Sequence, residues 1–432
     1  MENSSVKKGF KIAIKIVVAL LVAGGCFALG FITSRASLSK ELGDINYIIG
    51  MYRKYYYDEK EDVVGIFADS LLDRYSAYYT PKQYEAIKQA NAGSNYAIGI
   101  TYDDELNLVT VAGNSPAQKA GMRKGAKIVA VKLNSETEFT EVTDKTQLAN
   151  VLTDVGAGVD IDFKLLFNGE TDVYTAAKAE FTETYVDYVD ETGTYGFSDE
   201  SGEMKYIRLY EGDTSLPADT AYIKYDWFNG NSSGLKGSVG QFARAMTAFK
   251  ESGKRKIIID LRGNGGGFLS IFSSVSAHFI DAEKGSRQPI CIARNKYGSE
   301  QVFKSEAVDY SDYGFEKIVV LANAGTASAS EAFIGAVLDY DVNDRVSVIL
   351  ETYEYGGTEY FRSYGKGIMQ TTFERAGGGA IKLTTAKLFW PKSDVCIHDV
   401  GITTQLNSVY GGKIMTESYK GTAYSDAIEL CR

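Results

Sequence analysis

The decisive stretch is KIVVLANAGTASASEAFIGAVLDY, Lys317 to Tyr340. Apolar residues follow Lys317 without interruption as far as Ala322, the pattern of a buried strand. The segment from Glu331 onward is apolar and long enough for a helix. Between them lie small residues and two serines, Ser328 and Ser330. Such crowding means either a backbone turned tightly to present a hydroxyl or a helix N-terminus with a serine cap. A strand that enters a helix through a small-residue loop fits a partly parallel α/β sheet, with function at strand C-termini.

The flanking sequence extends this pattern over residues 183–432. TAYIKYDWF reads as a strand, SVGQFARAMTAFKES as an amphipathic helix, KIIIDLRGNGGG as a buried strand entering a glycine loop, and RVSVILETY as a further strand. Residues 94–182 differ. YAIGITYDDELNLVTVAG alternates like paired strands, Ser115-Pro116 and Thr143 or Asp144 open short helices, and Asn168-Gly169 marks a hairpin. Residues 36–93 carry apolar positions at helical spacing (Ile45, Ile48, Ile49, Tyr52, then Val64, Phe67, Leu71), and Thr80-Pro81 reads as a helix start. Their Tyr-rich face suits packing or a homodimer contact. Ile16 to Ser34 holds 19 residues without a charge, preceded by Lys7, Lys8, Lys11 and Lys15. That pattern predicts a membrane anchor with a cytoplasmic N-terminus, over the alternative of a cleaved signal. On either reading the body is exported, and residues 1–35 stand apart from the fold.

Bulk properties exclude some functions. With 432 residues, the chain carries a net charge of -10, which argues against nucleic acid, whose phosphates need a basic face. Cys26, Cys291, Cys396 and Cys431 form no C-x-x-C, so zinc and dithiol chemistry fail and free thiols are expected. No metal or cofactor is expected. His278 and His398 are the only histidines. His278 sits on an apolar helix face, which leaves a Ser-His-Asp triad poorly supplied. A reactive serine here needs a lysine as base. SLSK, Ser37 to Lys40, imitates the S-x-x-K pattern of penicillin-binding enzymes, but S-D-N and K-T-G are missing.

Two further motifs complete a set. DLRGNGGG, Asp260 to Gly267, follows a buried strand, and its glycines suit an oxyanion hole of backbone N–H groups or a phosphate nest. In YGKGIMQ, Lys366 stands between glycines. Burial would lower its pKa and let it act as a base. Gln370, four residues on, shares its face if the segment is a strand.

The ordered set LRGNGGG, TASASE and YGKGIMQ, downstream of LLDRYSAYYTP, resembles the carboxy-terminal processing peptidases, or tail-specific proteases. Tyr96-Ala97-Ile98-Gly99-Ile100, Ser115-Pro116-Ala117, Ala120-Gly121 and Gly125 resemble a PDZ domain, with Ala126 where an Asp is usual. The resemblance implies an α+β multidomain chain: membrane anchor (1–35), helical region (36–93), PDZ-like β domain (94–182) and an α/β peptidase core of the ClpP/crotonase type (183–432). It implies Ser328 as nucleophile, Lys366 as base and Gln370 as its partner. The Ala329 N–H and a glycine N–H, Gly266 or Gly265, become oxyanion donors. Ala97, Ile98, Gly99 and Ile100 would take a substrate's free C-terminus as an added strand. Ser330 and Glu331 are then helix cap and first-turn acid. The function implied is a membrane-anchored extracytoplasmic serine endopeptidase acting on protein tails. The alternative is a catalytically silent, tethered PDZ peptide-binding protein. One departure is the long connection from Ser328 to Lys366, where YEYGGTEYFRSY reads as an inserted hairpin; Lys382 and Lys387 are the fallback bases. GFSDESGEMKYIRLYEGDTSLPAD reads as a second insertion extending a lid.

Overall fold

The computed structural model describes residues 42–55, 63–91, 94–103, 105–133, 136–156, 158–200, 203–230, 234–355, 358–418 and 422–432. The expected anchor, Ile16 to Ser34, lies outside them. No helix among the described residues is long and apolar enough to cross a membrane. Two compact units are present, Met1–Leu72 and Asp73–Arg432. In the first, residues 42–55 and Val63–Leu71 are helical, and Ile48, Ile66, Phe67 and Leu71 are exposed.

The helical reading of 36–93 needs a correction at its C-terminal end. Ala77–Tyr79, itself within the second unit, is a strand paired antiparallel with Ala380–Lys382. Its β-favouring tyrosines and this tertiary pairing override the helical spacing. The helix Pro81–Asn91 begins where Thr80-Pro81 predicts, and the Gln83 Oε1 accepts from the Thr80 N–H at 2.9 Å.

Residues 94–182 fold around Leu106, Ile128, Leu148, Ile161 and Phe163. Ser115 caps the helix Pro116–Lys119, and Asp144 caps Lys145–Asp154. Asn168 and Gly169 both have positive φ, 51° and 84°, and join strands Asp160–Phe167 and Glu170–Ala177 as a tight hairpin. Ala97 ends a strand paired with Ala179–Thr182, and Ile100 opens one paired with Leu108–Val111. Gly99, at φ 87°, lies against Ser115 so closely that a Cβ would fall 2.2 Å from the Ser115 Cβ.

The rest is built on an eight-stranded sheet. Its order is Glu203–Glu211, Gly193–Glu200, Val186–Val189, Thr220–Tyr225, Lys256–Asp260, Lys317–Ala322, Val346–Leu350 and Ile414–Thr416. The last five are parallel. Parallel strands are covered on both faces. Helices Ser238–Glu251, Leu269–Ser276 and Ala329–Tyr340 contribute Phe242, Phe272 and Phe333 to one buried cluster, and Ala423–Leu430 packs over Ile258, Val319, Leu321 and Ile349 on the other. A second sheet joins Ala77–Tyr79, Ala380–Phe389, Pro289–Asn295 and Glu300–Lys304, with Ile368–Glu374 alongside Ala380–Phe389. The segment expected to extend a lid instead forms the hairpin Gly193–Glu200/Glu203–Glu211, which lengthens the eight-stranded sheet at its edge. The other insertion is a hairpin as read, Tyr353–Tyr355 with Thr358–Tyr360.

Candidate active site

Two adjacent parallel strands end beside each other, and their loops lock together. After Lys256–Asp260, Arg262 forks onto the buried Asp260 carboxylate, with Nη2 2.6 Å from Oδ2, and reaches Glu351. After Lys317–Ala322, the Asn323 Oδ1 accepts from the Gly263 and Gly325 N–H groups, each at 3.0 Å. The buried Thr326 hydroxyl donates to the Leu261 carbonyl at 2.8 Å. Asn264, also buried, gives the strongest stitching. Its carbonyl accepts from the Ala327 N–H and the Ser330 hydroxyl, both at 3.0 Å, and its Nδ2 donates to the Tyr225 carbonyl at 2.9 Å.

Ser328 sits at the turn with φ 57° and ψ -115°. A non-glycine residue there is strained and persists only when its surroundings hold it. Ser328 stands half-buried at the corner between strand Lys317–Ala322 and helix Ala329–Tyr340. Two contacts hold it. The Ser328 N–H donates to the Glu331 Oε2 at 2.9 Å. Gly266, at φ 94°, packs directly on the turn, where a Cβ would meet the Ala327 carbonyl at 2.6 Å and the Ser328 Cβ at 2.8 Å. The helix begins at Ala329, so Ser328 itself is its N-cap; Ser330, expected as cap, is buried and turned to Asn264.

Glu331 does more than act as a first-turn acid. Wholly buried, its Oε2 also accepts from the Lys366 N–H at 2.9 Å, and its Oε1 accepts from the Gly365 N–H at 2.7 Å and from the Ser363 hydroxyl. One carboxylate therefore ties the serine turn to the lysine segment. Burial pushes its pKa up, and the four donated bonds oppose that. The Tyr364 N–H donates to the Thr326 carbonyl at 2.9 Å, a second tie between the same segments.

Lys366 is partly buried, and burial is the main cause that holds its pKa below the usual range. Lys382 adds to the lowering, while Glu331 and Asp73 oppose it. Its Nζ lies over the Tyr75 ring, 5.3 Å from the centroid. Among the described residues no hydrogen bond joins Lys366 Nζ to Ser328 Oγ or to Gln370. The shared strand face expected for Lys366 and Gln370 is absent. The strand starts at Ile368, and its register shifts between Met369 and Gln370, which breaks the alternation. Gln370 Nε2 is buried without a partner among the described residues. Of the fallback bases, Lys387 is exposed and Lys382 lies over the Tyr79 ring.

The oxyanion donors divide differently from expectation. The Ala329 N–H, first in its helix, meets no acceptor among the described residues, and its nitrogen would lie 2.7 Å from a Cβ on Gly266. The Gly266 N–H is donated to the Asn264 Oδ1 at 2.9 Å, so Gly266 supplies close approach rather than a free donor. Gly265 is exposed with open space around it. Sequence reasoning passed over Asn264, Thr326 and Ser363. The S-x-x-E spacing of Ser328 and Glu331 is the one signal that marks Ser328 as the cap. No cluster of His, Cys, Asp and Glu among the described residues could hold a metal ion.

Residues 219–408 match Peptidase family S41. The chain is 26% identical over 366 residues to a CtpA-like serine protease of Staphylococcus saprophyticus, covering 81% of this chain and 62% of that protein. It is 25% identical over 421 residues to the carboxy-terminal processing protease CtpA of Bacillus subtilis, covering 93% of this chain and 78% of that one. This chain thus spans about three fifths of the staphylococcal relative (62%). The fold is similar to that of the photosystem II D1 C-terminal processing protease, at TM-score 0.54 and 22% identity over 83% of this chain and 84% of that one.

Proposed function

We propose, for a chain whose residues 219–408 match Peptidase family S41, that it is a serine endopeptidase acting on protein tails, with Ser328 as nucleophile and Lys366 as base. The observation that carries the reading is the single buried carboxylate of Glu331, which accepts the N–H of Ser328 and of Lys366 at 2.9 Å each. That joint fixes a strained serine and a desolvated lysine in one frame. In the reaction, neutral Lys366 takes the Ser328 proton as Oγ attacks the scissile carbonyl. The developing oxyanion is met by the Ala329 N–H and by a donor of the Gly265–Gly267 loop. Lys366 returns the proton to the leaving amine, and water hydrolyses the acyl-enzyme. Before this, Lys366 Nζ closes on Ser328 along the face of the Tyr75 ring, with Gln370 orienting it; apo sites commonly tighten only with substrate.

The substrate's free C-terminus enters the PDZ-like region at Ala97–Ile100, where Gly99 permits close backbone approach. The run Ile16–Ser34 anchors the chain in the cell membrane with its body outside the cytoplasm, and the exposed helical face of the first unit supports a homodimer. Cleavage of an unstructured protein with an apolar tail, by the full chain and its Ser328→Ala and Lys366→Ala variants, tests the chemistry. Loss in both variants is expected; retained cleavage in either would sink the assignment. Labelling of Ser328 by a serine-reactive probe separates the enzyme from a silent tail-binding protein.

A further inference from the structure

The reading of Lys366 as a base leaves one question open: what keeps its amine dry. Glycines flank it, so its own neighbours in sequence cannot cover it. The cover comes from a distant part of the chain. Lys366 Nζ stands 5.3 Å from the centroid of the Tyr75 ring, and no other aromatic ring lies under it among the described residues.

Tyr75 is held from both sides in sequence. The Asp73 carboxylate accepts from the Tyr75 N–H at 2.9 Å and from the Ser76 N–H at 2.8 Å. The Ser76 hydroxyl accepts from the Thr384 N–H at 2.9 Å, and Ala77–Tyr79 pairs with Ala380–Lys382. The ring is thereby fixed to the sheet that carries Ile368–Glu374, the strand that follows Lys366. Burial, with Tyr364 beside it, pushes the Tyr75 phenol up to about 12, so the side chain stays neutral and places no negative charge near the amine.

A ring under a lysine can seat an ammonium through its negative face or exclude water from an amine. The charges around it decide between these. The Arg74 guanidinium already lies over the same ring, 4.7 Å from the centroid. A permanent cation there makes the ring a poor seat for a second one. The groups facing the amine are Lys382, which disfavours its charge, and Glu331 and Asp73, which favour it. Burial is the largest of these influences and, with Lys382, leaves the amine's pKa lowered on balance.

We propose that Tyr75 is a positioning residue whose ring face walls Lys366 off from water and so keeps the amine neutral and able to accept a proton. The role rests on the peptidase reading above, in which Lys366 is the base.

The test reads the lysine directly. In the full chain carrying Ser328→Ala, the rate of Lys366 acylation by acetic anhydride is followed against pH by peptide mass. Tyr75→Phe and Tyr75→Leu, which keep an apolar wall, leave the midpoint unchanged. Tyr75→Ala admits water and raises it by about one unit, roughly tenfold less neutral amine at a given pH. With Ser328 restored, the acid limb of the kcat profile moves the same way while KM stays fixed. A midpoint lowered by Leu would show a cation seat and overturn the wall. So would a Phe shift as large as that of Ala, or no shift in Ala. If the midpoints move as stated but the Ser328 chain cleaves nothing, the peptidase reading fails and the wall stands.

Discussion

Glu331→Gln is the most informative single change. Each carboxylate oxygen takes two donors: Oε2 those of Ser328 and Lys366, Oε1 those of Gly365 and Ser363. An amide offers one oxygen and one NH2, so one pair of donors must face another donor. The less costly orientation puts NH2 toward Ser363, whose hydroxyl can turn to accept, and leaves the Gly365 N–H unpaired. An orphaned buried donor costs about 1–3 kcal/mol, and two bonds to a charge become bonds to a neutral oxygen at about 1 kcal/mol each. Relief of burying a charge returns part of this. The net is a loss of about 2–3 kcal/mol, or about 5–10 °C in the unfolding midpoint of the core at its size. Because the lost bond lies next to Lys366, kcat on a tail peptide falls about 100-fold, with KM changed less than threefold (roughly 2.7 kcal/mol in the transition state). Calorimetry and steady-state cleavage at fixed pH measure both. A variant as stable and as active as the parent would refute the claim that one carboxylate joins the two segments.

Two further outcomes follow from local geometry. Gly266→Ala places a Cβ 2.6–2.8 Å from Ala327, Ala329 and Ser328 atoms at φ 94°, so it costs at least about 3 kcal/mol and abolishes probe labelling of Ser328; ordinary folding and labelling would contradict the packing. Glu183, buried where residues 94–182 meet the sheet, has its pKa raised by burial from 4.5 to about 7, with Asp226 adding to the rise and Tyr185 opposing. A raised folded pKa gives stability that is complete below pH 4.5 and lost as pH rises to about 7. Glu183→Gln therefore flattens the denaturant midpoint across that window and is about 3 kcal/mol more stable than the parent at pH 8; an unchanged slope would count against it.

Much of the site was legible because it lies where backbone demands restrict residue type. Glycines at 263–267 and small residues around Ser328 are what two touching loops require, and both announce themselves in sequence. The strand-to-helix entry at Ser328 follows from a simple change of period. What stayed hidden was tertiary. Glu331 reads as a helix-start acid until Ser363, Gly365 and Lys366 arrive from a segment more than thirty residues on. Asn264 looks like turn punctuation, although it stitches Ala327 and Ser330 to the glycine loop. The face shared by Lys366 and Gln370 failed because a bulge has no signature of its own in a seven-residue motif. Ala77–Tyr79 reads as helix in sequence because its strand partner lies about three hundred positions away.

That short strand bears on how the protein can be trimmed. Ala77–Tyr79 covers one side of Ala380–Phe389, while Ile368–Glu374 covers the other. A fragment that starts beyond residue 80 uncovers backbone N–H and C=O groups of Ala380, Ile381 and Lys382. Bare strand edges recruit other strands, so such a fragment is expected to self-associate even with every catalytic group present. The natural place to cut is before Asp73, where the second compact unit begins.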